Sequence, residues 1–309
     1  MPQAVVNLPR IAVLLATYNG EPFVDCQIHS LLSQQNVSVH IFARDDGSTD
    51  NTVSQLKAFT ISHPLRVTLI ADAQGRTGSA ATNFFALLKG VDFADFDYVA
   101  LSDQDDIWLP TKLQQAIECI RINGGGGYSS NLLAWSDEID ASWILDKGGQ
   151  PKSLDYLFQG ASAGCTYVLD RASATRVQRR LNELVHPYCD GISHDWVLYA
   201  ICRSAGFPWF FDTQFYIRYR QHSQNVYGSM SGMEGMIARL KIMQAGWYKT
   251  HILWLGNVIE NHSEETAILA AVGRGSLSDR FMLIWNSFCF RRKVSDVWKL
   301  RIAFVIGLL

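Results

Sequence analysis

The feature that most constrains this chain is the uninterrupted apolar run Ile11 to Thr17 (IAVLLAT), which breaks abruptly into polar residues. A strand this apolar must be covered on both faces, as in a parallel sheet with helices on either side. Three more strand-like runs follow, Val37 to Ala43 (VSVHIFA), Arg66 to Ala71 (RVTLIA) and Asp97 to Leu101 (DYVAL). Helical stretches separate them: one opens at Glu21-Pro22, one covers Asn51 to Phe59 behind an Asp50 cap, and one covers Thr77 to Lys89. A further helix begins at Pro110. This alternation predicts an α/β fold with a mainly parallel sheet, right-handed crossovers and flanking helices. Ligands in such sheets bind beyond the carboxyl ends of the strands.

Those ends are polar. Asp45-Asp46-Gly47-Ser48-Thr49-Asp50 follows the second strand, and Ser102-Asp103-Gln104-Asp105-Asp106 follows the fourth. Two carboxylates one residue apart at a strand end can share a divalent ion, and hard oxygen donors suit Mg²⁺ or Mn²⁺. A carboxylate in the earlier loop can accept hydrogen bonds from a ribose or a base N–H. Taken singly, either loop also reads as a solvated turn capping a helix. There is no GxGxxG after a strand, no GxxxxGK[ST] and no GxSxG, so dehydrogenase, P-loop and serine-hydrolase chemistry lack their sequence support.

Composition narrows the rest. With 48% hydrophobic and 18% charged residues the chain is not intrinsically disordered, and a net charge of −2 supplies no field to recruit nucleic acid. Six scattered cysteines without a CxxC pair fit a reduced cytoplasm rather than a structural zinc site. The N-terminus lacks a signal-peptide pattern and no run of about 18 apolar residues occurs, so a soluble or peripheral cytoplasmic protein is expected.

Asn123-Gly124-Gly125-Gly126-Gly127 reads as a flexible break at the end of the first unit. Beyond it, strands are expected at Leu132 to Trp135, Cys165 to Leu169 and Phe215 to Arg220, with a helix from Ala172 to Leu184. His194-Asp195 and His222 stand out, because a carboxylate in a cleft can act as a general base and imidazole is a common metal ligand. From about Gly232 the pattern becomes helical, with Met236, Leu240, Met243, Trp247, Trp254 and Val258 on one amphipathic stripe.

Together the ordered segments Ala16-Thr17-Tyr18-Asn19-Gly20, Asp45 to Asp50 and Ser102-Asp103-Gln104-Asp105-Asp106-Ile107-Trp108 resemble the nucleotide-sugar half of family 2 glycosyltransferases with the GT-A fold. SDQDDIW is similar to the branch that includes bacterial rhamnosyltransferases of cell-surface polysaccharide synthesis, and Gly164-Cys165-Thr166, His194-Asp195-Trp196 and Tyr219 to Val226 fit as well. The resemblance covers roughly residues 10 to 230. It implies that Thr17, Tyr18, Asn19, Asp45 and Asp46 face the nucleotide, that Gly75, Gly78 and Asn83 lie near the donor, and that Ser102, Asp103 and Gln104 contact it. It further implies metal ligation by Asp103, Asp105 and His222, with Asp105 the direct ligand. Asp195 takes the place of the catalytic base; many relatives carry Glu-Asp where this chain has His194-Asp195. The donor implied is dTDP-rhamnose or a UDP-hexose, and the acceptor a saccharide, free or lipid-linked.

The expected organisation is a catalytic domain over 1–230, with a nucleotide-sugar-binding half (1–123) and an acceptor-binding half (124–230), and a helical region over 231–309. That tail reads either as packing on the catalytic domain or on a second copy, or as a peripheral contact with the inner membrane. The last reading rests on Phe281 to Phe290 (FMLIWNSFCF) beside Arg291-Arg292-Lys293, and on seven basic against two acidic residues between Arg274 and Arg301.

Overall fold

The computed structural model describes residues 8–71, 75–136, 140–189, 191–221, 246–260 and 262–309. The first apolar runs form strands β1 (Arg10–Thr17), β2 (Ser38–Asp45), β3 (Val67–Leu69) and β4 (Tyr98–Ser102). Helices α1 (Val24–Leu32), α2 (Thr52–Ser62) and α3 (Ala80–Gly90) connect them. All the pairings among these strands are parallel, in the order β3-β2-β1-β4. The direction of winding changes between β1 and β4, which opens a crevice beyond their carboxyl ends. Register places Thr17 beside Asp45 and Leu15 beside Ser102, so the loops leaving β1, β2 and β4 converge.

The apolar run of β1 divides by parity. Ile11, Val13 and Leu15 enter one core layer with α1, α2 and α4 (Lys112–Ile122). Ala12, Leu14 and Ala16 enter the other with α3, α5 (Arg171–Glu183) and α6 (His194–Ser204). Each fully buried aliphatic side chain contributes roughly 1.5–3 kcal/mol, which explains why the run tolerates no polar residue until Thr17.

The second half makes the sheet mixed. It adds β5 (Ile107–Trp108), β6 (Gly127–Ser136), β7 (Ala141–Leu145), β8 (Val168–Asp170) and β9 (Trp209–Arg220). β8 runs antiparallel between β4 and β6, β9 is parallel to β6, and β5 and β7 pair antiparallel with β9 and β6. The expected strand at Cys165 begins instead with a 3₁₀ turn over Gly164–Thr166. The glycine stretch is not a loose break: β6 starts at Gly127, and a Cβ on Gly126 would collide with the Pro208 carbonyl. Close approach to the strand entering β9 therefore demands glycine there.

The C-terminal helices are α7 (Trp247–Leu255), α8 (Ser263–Arg274), α9 (Leu277–Asn286) and α10 (Val294–Val305). The first half of the expected amphipathic stripe, Met236, Leu240 and Met243, lies outside the described residues, as does His222. Phe290 and Phe304 join the α6-side core, where Phe290 stacks on Phe158 at 4.2 Å between ring centroids.

Arg291 and Arg292 of the basic triplet after α9 bond into the protein while Lys293 stays at the surface, contrary to the membrane-facing role expected of the triplet. Arg292 Nη1 lies 2.9 Å from Oδ2 of the fully buried Asp155, and Nη2 donates to the carbonyls of Gly160 and Ala161. Arg203 Nη1 and the Tyr199 hydroxyl complete the Asp155 site. Arg291 donates to the Tyr248 hydroxyl, and Lys293 pairs with Asp146 at 2.6 Å. Removing one partner of a buried ion pair strands the other charge. Arg292→Ala should therefore lower stability by about 2–4 kcal/mol, read as a shifted urea midpoint, whereas Lys293→Ala at the exposed pair should cost about 1 kcal/mol or less.

Candidate active site

Asp45 and Asp46 organise the crevice floor in different ways. The Asp45 carboxylate accepts from Thr17 Oγ1 (2.9 Å), from the amides of Gly47 and Ser48, and from Ser48 Oγ. Ser48 Oγ in turn accepts the Asn19 amide, and Asn19 Oδ1 accepts the Thr49 amide. Asp46 is 3% exposed, and its oxygens are taken by the amides of Thr77 and Gly78, the Thr77 hydroxyl and Arg44 Nη1. Burial alone would raise its pKa, but these donors outweigh burial and hold the carboxyl below its usual range. Gly78 has φ +88°, a left-handed conformation that suits glycine and lets its amide meet Asp46. Asp46 thus spends its carboxylate anchoring the loop before α3.

Arg44 is the residue that sequence reasoning missed. Buried at the end of β2, it bonds Asp46, Asn83 Oδ1 (2.8 Å) and the Gly75 carbonyl (2.8 Å). Asn83 Nδ2 donates to the carbonyls of Thr17 and Arg44, so β1, β2 and α3 meet on one buried hub. A charged residue inside an otherwise apolar strand, next to two acids, was its only sequence signal. Above the hub Tyr18 is 39% exposed, with Arg76 over its ring at 4.6 Å. This leaves an aromatic face at the rim that a base could stack against. Gln104 clasps the two loops through its amide, which accepts the Tyr18 amide (2.8 Å) and donates to its carbonyl (3.0 Å). Ser102 is fully buried and accepts from Gln27 Nε2.

The acidic loop carries more negative charge than its surroundings neutralise. Asp103, Asp106 and Cys165 present donor atoms all within 4.8 Å of one another. Among the described residues, neither buried Asp106 oxygen accepts a hydrogen bond of good geometry. Burial, then the Asp105 and Asp195 carboxylates, push Asp103 up to about 7; burial and the charges of Asp105 and Asp103 push Asp106 up as well. Burial, with Asp106 and Asp103 adding to it, also raises the Cys165 thiol and keeps it protonated. Lys112 is buried beneath, its Nζ 3.1 Å from the Trp108 ring centroid and donating to the Cys165 carbonyl. The carboxylate oxygens of Asp103 and Asp106 are hard donors of the kind that suit Mg²⁺ or Mn²⁺. Asp105 is outside the tight group and acts on it through its charge.

Asp195 sits in the first turn of α6 behind the N-cap Ser193, whose hydroxyl donates to it; the carboxylate also accepts the Trp196 amide at 2.7 Å. It lines a cleft of about 320 Å³ with Ser193, Trp196, Asp146, Lys293 and Asp296. Two histidines pack around it. His194 stacks on Phe84 at 4.4 Å, its buried Nε2 has no hydrogen-bond partner among the described residues, and burial lowers its pKa, so it is a neutral packing residue. His251 is fully buried and stacks on Trp196 at 4.3 Å; burial lowers it to about 4 despite the opposing pull of Asp195. Because the unfolded chain takes up that proton near pH 6.5, the contribution of neutral His251 is complete above 6.5 and is lost as pH falls towards 4. The raised carboxyl of Asp103 has the opposite slope, so a variant is needed to isolate the histidine. In urea titrations, His251→Phe should remove about 2 kcal/mol of the wild-type change in stability between pH 7 and pH 5.

The description "Glycosyl transferase family 2" matches residues 12–181, more than half the chain and the whole of the convergent-loop unit. The chain belongs to this family. This family 2 glycosyltransferase is 31% identical over 282 residues to the dTDP-rhamnosyl transferase RfbG of Shigella flexneri, covering 91% of this chain and 96% of that one. Among solved structures it resembles S. aureus TarS 1–349 in complex with UDP-GlcNAc (TM-score 0.56, 15% identity, 97% of this chain and 82% of that one). Against a longer TarS structure the match covers 49% of that chain. It also resembles the mannosyltransferase PcManGT from Pyrobaculum calidifontis in complex with GDP-Man and Mn²⁺ (TM-score 0.54, 15% identity, 98% and 86% coverage). These likenesses establish the GT-A type of fold; the chain acts as a glycosyltransferase on nucleotide-sugars.

Proposed function

We propose that the chain is an inverting rhamnosyltransferase. It moves L-rhamnose from dTDP-β-L-rhamnose to a hydroxyl of a saccharide, free or carried on a lipid, in bacterial surface polysaccharide synthesis on the cytoplasmic side of the inner membrane. The reading is supported by Asp195, which lines the cleft and is near enough for its charge to act on Asp103 of the acidic strand-end loop. The rhamnose donor is supported by the similarity to RfbG over 91% of the chain. We assign residues 1–230 to catalysis and 231–309 to a C-terminal helical region.

Asp103 and Asp105 would hold Mg²⁺ or Mn²⁺, Asp105 being outside the Asp103–Asp106–Cys165 group but near enough for its charge to act on Asp103; His222, outside the described residues, is assigned to the same shell. When bound, the ion stabilises charge developing on the departing diphosphate. Tyr18 and Asn19, held by Gln104 and Ser48, position the nucleotide at the rim. Asp195 accepts the proton of the acceptor hydroxyl as its oxygen attacks the anomeric carbon. The electron pair of the sugar–phosphate bond leaves with the nucleoside diphosphate. One displacement, with no covalent intermediate, inverts the centre and gives an α-linkage.

A screen of donor turnover across nucleotide-sugars, with and without divalent ions, tests this reading. Fastest consumption of dTDP-rhamnose, only with metal, is expected. Preference for a UDP-hexose would reassign the donor, and no turnover of any donor would leave a nucleotide-sugar-binding scaffold.

A further inference from the structure

Of 17 exposed large hydrophobic residues among the described ones, nine lie between Leu277 and Ile306. Leu277, Phe281, Trp285 and Phe288 follow steps of three and four along α9 and beyond it, and Val294, Trp298, Ile302 and Val305 do the same along α10. Their exposures run from 51% to 84%. The opposite side of α10 is buried through Val297, Leu300, Ala303 and Phe304. Such concentration differs from the scattered apolar residues of an ordinary surface.

Two arginines stitch the two rows into one face. Arg301 lies over both Phe288 (4.5 Å) and Trp298 (4.9 Å) and donates to Ser287 Oγ. Arg280 donates to the carbonyls of Gly275 and Val305. Neither has a carboxylate partner among the described residues, whereas Arg274, Arg292, Lys293 and Lys299 all do. The face is therefore aromatic, apolar and cationic.

We propose that this face docks on an anionic lipid bilayer, with Phe281, Trp285 and Trp298 at the headgroup boundary and Arg280 and Arg301 on lipid phosphates. Charge decides between a bilayer and a second copy: a two-fold contact through this face would bring uncompensated arginines together, while anionic lipid complements them. No described helix is long and apolar enough to cross a membrane, so the contact is peripheral. α10 also joins this face to the catalytic cleft, since Asp296 lines the cleft while Val294 and Trp298 lie on the face. The lipid-linked acceptor proposed above gives docking its purpose, but the face itself is independent of that reading.

Sedimentation with vesicles of phosphatidylglycerol and phosphatidylcholine, against phosphatidylcholine alone, tests the proposal without donor or acceptor, so an inactive transferase leaves it intact. The wild type should bind the anionic vesicles, with a blue-shifted tryptophan emission, and lose binding as salt rises from about 0.1 M to about 0.5 M. Phe281→Ser/Trp285→Ser/Trp298→Ser should weaken binding at least about tenfold while leaving donor turnover in solution unchanged. Arg280→Gln/Arg301→Gln should remove the preference for anionic lipid. Should the triple variant not fold, Trp285→Ser alone, at the most exposed position, carries the comparison. Absent vesicle binding, or equal binding by the serine variants, overturns the proposal. A concentration-dependent dimer that the serine changes abolish, without vesicle binding, reassigns the face to a second copy.

Discussion

Asp195→Asn should lower kcat by about 10² to 10⁴ while leaving donor affinity nearly unchanged. The substitution keeps the size of the side chain and one carbonyl oxygen, so the Trp196 amide can still be accepted and the first turn of α6 should persist. What it removes is the basic oxygen facing the cleft. The competing structural role is bounded by the same geometry. Ser193 is the N-cap residue, and loss of a helix-capping contact costs about 1 kcal/mol of stability with little effect on rate. A variant with an unchanged melting temperature and a large fall in kcat assigns the base; near-normal turnover assigns Asp195 to the helix alone. Neutral, packed His194 and His251 offer no substitute proton acceptor with a normal pKa, so little residual base catalysis is expected.

Asp105→Ala should abolish metal-stimulated turnover, a loss of about 10² to 10³-fold or more, with the fold intact. A half-buried loop carboxylate contributes little packing, and its removal relieves repulsion on Asp103 and Asp106. The variant should therefore be as stable as the wild type without added metal, or slightly more so. Thermal unfolding with and without Mn²⁺ gives the second readout: the wild type should be stabilised by the ion and the variant much less. Full activity in excess chelator would count against the assignment.

How much of this was legible beforehand depends on distance along the chain. β1, β2 and β4 and the loops that follow them were readable because each apolar run and its polar exit lie within about a dozen residues, where strand burial and loop chemistry are local. The convergence of Thr17 on Asp45 followed from parallel pairing alone. Short pieces failed: β5 has two residues directly after the acidic loop, and β7 is largely exposed, so neither carries a periodic signal. The Asn123–Gly127 stretch misled because glycine marks both loose chain and close packing, and only the Pro208 carbonyl distinguishes them. The inward turn of Arg292 was invisible because its partner Asp155 lies 137 residues away. Composition could count the basic residues of the tail, but could not say that Arg292 and Lys293 meet acidic partners while, among the described residues, Arg280 and Arg301 do not.

The central claim, a single displacement assisted by Asp195, is tested most directly by the anomeric configuration of the transferred sugar. The wild-type enzyme, dTDP-β-L-rhamnose, a divalent ion and a saccharide acceptor would be incubated, and the one-bond carbon–proton coupling at the new anomeric centre read by NMR. The account predicts an α-linked product. A β-linked product would mean retention, and with it a covalent or front-face route in which Asp195 is not the base.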